Sequence, residues 1–218
     1  QEKIGEMAKH TDVHDDDLDN LPPLLAYHLA FLEVLSNCTI GRINITSIEA
    51  KVQSIYGCID IVNAIMDPEC SLIAKKYLTL HLFNAIIEVE IMIPGLEKSK
   101  VIWNLLCAYE KELSNLTANC KDLDEQNWRS EKVARGELEY QLSCIMNIGG
   151  FFARYYDPAA LGSQDEVVGD NADITDMDVE GANDLMGKLY GYLYEFYKYN
   201  SAHLTETQKG HVFDALEA

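Results

Sequence analysis

Residues 71 to 92 form a nearly unbroken apolar run, preceded by Asp67-Pro68-Glu69-Cys70 and followed by Pro94-Gly95. A run of 22 residues is far too long for one ordinary strand, and an apolar surface on almost every side asks for neighbours on several faces. The run therefore predicts a central helix at the hub of an all-helical stack. A membrane span is the rival reading, but Lys75, Lys76, His81, Asn84, Glu88 and Glu90 interrupt it and leave no stretch of about 18 clean residues. No direct membrane insertion is expected of this segment.

The pattern on either side of the hub is helical as well. Pro22 and Pro23 suit a helix start, and Leu25, His28, Leu29, Leu32, Leu35 and Cys38 recur at three and four before Gly41. Thr46-Ser47-Ile48-Glu49 reads as a capping box that opens a short helix to Tyr56, and another runs from Cys58 to Met66, where Asp67-Pro68 stops it. Beyond the hub, Ile102, Leu105, Leu106, Tyr109, Leu113 and Leu116 mark one helix. Val133, Leu138, Leu142, Ile145, Gly149, Phe152 and Tyr156 mark the next, in which Gly149-Gly150 allows close helix approach or a bend. Leu185, Met186, Leu189, Tyr190, Leu193, Phe196 and Tyr197 form a further stripe, and a second capping box, Thr205-Glu206-Thr207-Gln208, starts the last helix. About eight helices with almost no period-two alternation predict an all-α chain, an armadillo/HEAT-like right-handed helical solenoid. Residues 1–19 read as an acidic tail or linker, and residues 20–218 as the solenoid, with an acidic loop over 157–182.

The charge supports that division. The net charge is −19, but residues 12–19 and 162–184 hold 13 acids and no Lys or Arg. The remaining 23 acids face 17 bases, so the acidity belongs to solvated connecting segments. No Lys/Arg stripe exists to neutralise phosphates, which excludes nucleic acid as the expected partner. Six cysteines form no CxxC pair and suit reduced thiols on helical faces. Residues 1–20 lack a basic region followed by an apolar core, so no secretion signal is expected, and the N-x-T sequons at Asn37, Asn44 and Asn115 read as unused.

Candidate chemistry is thin. Asp176, Asp178 and Glu180, with Gly181, imitate the first half of an EF-hand loop, but Gly187 stands where the bidentate Glu would be, so they are weak metal candidates and no dedicated metal is expected. His10 and His14 lie four apart in a segment with no apolar face to fix a helix. Glu88 and Glu90, two apart on a helix, would point to different sides. His28 and His81 read as hydrogen-bonded core histidines, and Cys70 as a packing residue with no base beside it. No catalytic constellation and no cofactor are expected. In the aromatic run, Tyr190, Phe196 and Tyr197 share a core face, which leaves Tyr192 and Tyr199 as interface candidates.

Tyr27-His28, Leu32, Leu35, Cys38, Gly41 and Asn44, followed by Glu49-Ala50-Lys51-Val52-Gln53-Ser54, resemble the homology domain shared by inositol trisphosphate receptors and ryanodine receptors, in its inositol trisphosphate receptor form. The similarity continues through Asp60-Ile61-Val62, Cys70, Lys75, Glu90 and Trp103, with the spacing from Cys70 to Trp103 kept without a gap. It is strongest over residues 24–106, thins beyond Leu138 and resumes at Leu189 to Gln208. Departures include one extra residue between Asn44 and Glu49, Val52 in place of the usual Cys, and Met92 in place of an acid, as in a divergent member. The resemblance implies a non-catalytic regulatory and coupling solenoid of a tetrameric intracellular calcium-release channel, on the cytosolic side of the endoplasmic reticulum. Its partners would be other domains and subunits of the channel, and no inositol phosphate is expected to bind this segment, which has no basic cluster or glycine-rich phosphate loop. The alternative is a free-standing helical scaffold that binds basic peptide or protein partners.

Overall fold

The computed structural model describes residues 21–40, 46–90, 92–120, 132–162, 174–202 and 204–217. The expected acidic tail with His10 and His14, and residues 163–173 of the acidic loop, lie outside these residues. The described part is all-helical, with nine α-helices: α1 Pro23–Cys38, α2 Thr46–Ile55, α3 Cys58–Met66, α4 Leu72–Leu82, α5 Lys100–Cys120, α6 Lys132–Arg154, α7 Pro158–Gly162, α8 Val179–Asn200 and α9 Glu206–Glu217. None of them is long and apolar enough to cross a membrane.

Local chemistry explains several of the boundaries. Pro23 sits at the first position of α1, where its missing N–H costs nothing. Ser71 Oγ accepts the Ala74 amide at 3.4 Å to start α4, and Asp178 Oδ1 accepts the Gly181 amide at 2.7 Å to start α8. The second capping box forms as expected: Thr205 Oγ1 accepts the Gln208 amide at 3.2 Å, and Gln208 Oε1 accepts the Thr205 amide at 2.9 Å. In the first, Glu49 is diverted. Its buried carboxylate accepts the Glu90 amide at 3.1 Å, binding α2 to a distant backbone segment.

The central helix is shorter than the apolar run. After Leu82 the chain widens into a π turn, Phe83–Ile87, closed by Glu88 N–H donating to Phe83 O at 2.7 Å. It then leaves helical geometry until a 3-10 turn at Leu96–Lys98, which follows Gly95 in the left-handed region at φ 80°. Glu88 and Glu90 thus lie beyond the helix and not on opposite sides of it. The acidic loop is also shorter than expected. The helix read from Val133 to Tyr156 ends at Arg154, Pro158 opens α7, and α8 begins at Val179, inside the stretch read as the acidic loop. The Lys98 carbonyl accepts the Thr175 amide at 2.9 Å, fastening the entry to α8 against the 3-10 turn.

The helices pack in two rows. In one, α1 lies on α4, α4 on α6 and α6 on α9; in the other, α3 lies on α5 and α5 on α8. Across the rows α3 packs on α4, α5 on α6 and α8 on α9. The periodic residues read from the sequence fill the space between: Leu105, Leu106, Tyr109 and Leu113 of α5, Leu142, Ile145 and Phe152 of α6, and Leu185, Leu189, Leu193 and Phe196 of α8 are all buried. Each such side chain contributes on the order of 1.5–3 kcal/mol on leaving water. Trp103 meets Phe151 edge-on at 5.5 Å between ring centroids and donates its indole N–H to Glu97 O at 2.8 Å.

Gly149 is where α6 and α9 come closest, because a Cβ there would stand 2.7 Å from Ala215 Cα. Gly187, on the exposed side of α8, has open space around it. Gly149→Ala is therefore expected to destabilise the protein by about 1–3 kcal/mol through overpacking. Gly187→Ala should stabilise it by about 0.5–1 kcal/mol by removing backbone entropy from the unfolded chain. Urea unfolding of the two variants checks both signs.

Candidate functional site

The π turn and the chain leaving it, residues 83–93, are the point on which the other elements converge. A backbone that departs from the helical ladder inside a protein leaves carbonyls and amides that need other partners. Thr39 Oγ1, at the end of α1, donates to Asn84 O at 2.9 Å, and Gln53 Nε2 of α2 donates to Ala85 O at 2.8 Å. Tyr155 Oη donates to Ile86 O and accepts from Ile93 N, both at 3.2 Å. Arg154 of α6 donates through Nη2 to Val89 O and through Nη1 to Glu88 Oε1 at 3.1 Å. With Glu49 on the Glu90 amide, α1, α2 and α6 all hold the same short stretch of main chain.

A second polar cluster lies beside it. His81 is 0% exposed, and its Nδ1 is 3.0 Å from Ser36 Oγ. Tyr56 stands edge-on to both His81, at 5.8 Å between centroids, and His28, at 5.7 Å. Burial pulls the His81 pKa down to about 4, and burial also lowers that of His28. Both are the hydrogen-bonded packing histidines the sequence suggests. His28, however, is only half-buried.

The remaining candidates are separated. Asp178 caps α8, Asp176 lies 3.6 Å from Lys100 Nζ and is almost fully exposed, and Glu180 already belongs to the first turn of α8. The EF-hand-like stretch is thus a helix start, and among the described residues no three His, Cys, Asp or Glu side chains are grouped to hold a metal. Cys70 is half-buried beside the Ser71 cap, and Lys75 lies over the Tyr140 ring at 5.9 Å from its centroid. The Cys58 thiol, pushed up to about 11 by burial, is fully protonated at neutral pH.

Tyr192 is part-buried against the core, and its carbonyl faces Thr117 Oγ1 at 3.3 Å. Tyr199 is 50% exposed as expected, and Tyr194, which the pattern did not single out, is 62% exposed. A larger apolar surface went unread in α1. Tyr27 and Val34 are 69% and 57% exposed, Leu24 is about as open, and Phe31 lies stacked beside Tyr27. Their spacing of three, four and three forms a seam opposite the Leu25, Leu29, Leu32 face, a signal present in the sequence but hidden by the stronger inner stripe.

No protein-family model matches the chain, and no curated protein matches it.

Because His81 is neutral when folded and takes up a proton near pH 6.5 when unfolded, the unfolded chain binds more protons between about pH 4 and 6.5. The stability tied to His81 is complete above pH 6.5 and is lost as the pH falls towards 4, by on the order of 3 kcal/mol. His81→Gln should flatten that part of the stability–pH curve, read by urea midpoints from pH 7 to 4.

Proposed function

We propose that this chain is a non-catalytic coupling segment, an armadillo/HEAT-like right-handed solenoid, of a tetrameric intracellular calcium-release channel of the inositol trisphosphate receptor type. It would work on the cytosolic side of the store membrane, with other domains and subunits of the channel as partners. The observation that carries the reading is the pair of helix rows ending on an apolar face. Each helix of the longer row lies on the next, and α1, at its end, turns the Leu24, Tyr27, Val34 seam outward. Stacked helical repeats show such a face wherever a neighbouring repeat is missing, because one repeat cannot bury its apolar surface alone. The hub gives such a segment its stiffness, since α1, α2 and α6 grip one stretch of backbone and displacement of one loads the others. The residue-level resemblance, strongest over residues 24–106, supports the channel assignment over other helical scaffolds.

In the full-length protein, Tyr27→Glu combined with Val34→Glu is expected to cut calcium release evoked by inositol trisphosphate severalfold. Ligand affinity of the full-length protein and the Tm of this chain should stay unchanged, because both side chains are exposed. Release at the original level, or saturable binding of inositol trisphosphate to this chain alone in calorimetry, would overturn the reading.

A further inference from the structure

A groove of about 290 Å³ opens between α6, the π turn and α9. Its existence follows from three local features. The π turn shifts the residues that follow Phe83 out of the helical register, Gly149 lets α9 close on α6, and Gly150 leaves room that a Cβ would fill, 2.9 Å from Phe83 and Ile87 atoms. The apolar walls are Phe83, Met146 and Ala153, and the rim carries Glu88, His211 and Asp214.

We propose that this groove binds an arginine side chain of a basic peptide segment. Size is the first argument: the volume lies at the lower edge of small-molecule pockets and suits a single long side chain. Charge is the second. Among the described residues no lysine or arginine lines the groove and Arg154 pairs with Glu88, which leaves Asp214, without an ion pair there, to face one added cation. Aromatic chemistry is the third, because Phe83 lines the groove and an aromatic ring takes a planar guanidinium better than an ammonium. The inference does not rest on the channel reading, since it concerns one groove on this chain, and either can fail alone.

The test is an NMR titration of the isotope-labelled chain with the capped peptide Ala-Ala-Arg-Ala-Ala and with its citrulline counterpart, equal in shape but uncharged. Saturable shifts at the amides of Gly149, Gly150, Ala153 and Ala215 are expected with arginine, and affinity on the order of tenfold weaker with citrulline. Asp214→Asn should weaken arginine binding about two- to fivefold. Ala153→Leu, an exposed substitution that fills the mouth, should abolish it. Equal affinity for the two peptides, non-saturating shifts spread over the acidic surface, or unchanged binding in both variants would overturn the proposal.

Discussion

The structure depends on how a short stretch of irregular backbone is satisfied inside it. Between Asn84 and Ile93 the main chain has left the α-helical ladder, yet it runs through the middle of the longer helix row. An unmade buried hydrogen bond costs about 1–3 kcal/mol, so several left open together would rival the whole stability of a domain this size. The protein avoids that by sending Thr39, Gln53, Glu49, Arg154 and Tyr155 to this backbone. These side chains reach it from three helices, and they fix where those helices sit. Hydrophobic burial holds the rows together, but it is non-directional; the polar contacts at the π turn specify the register.

The same turn generates the surface features on which function is argued. A regular helix through Phe83 would place the following residues on another face and close the groove beside α9. The turn thus couples three things: the stiffness of the α1 end, the seat of Arg154 and the shape of an acidic-rimmed cleft. The contacts of three helices and the groove beside α9 thus share one departure from helical geometry.

Much of this was legible in the sequence, and the rest was hidden for identifiable reasons. Apolar periodicity placed nearly every long helix, because Leu105, Leu142 or Leu189 has no stable alternative to burial. Capping residues were legible where the partner is three residues away, as at Thr205 and Gln208. They failed where the partner is far off: Glu49 looks like half of a local box, and nothing nearby in sequence reveals that Glu90 takes its carboxylate. Periodicity cannot see a π turn at all, since every residue from Leu82 to Ile87 is compatible with either helix. Tyr192 is more covered than a count of one buried face suggests, because α8 packs on both α5 and α9 and buries a wider arc. The EF-hand resemblance was a matter of residue order alone, and Asp178 serves the backbone three residues on.

The hub's partners also bear on how the chain is made. Ile86 O waits for Tyr155, 69 residues later, and Val89 O for Arg154, 65 residues later. At a synthesis rate of about 5–20 residues per second, roughly 3–14 s pass between the two. During that interval α1 to α4 exist on the ribosome with their central carbonyls open and much of their apolar surface uncovered. The nascent chain can settle there only loosely, and the arrival of the α6 terminus is the event that locks it.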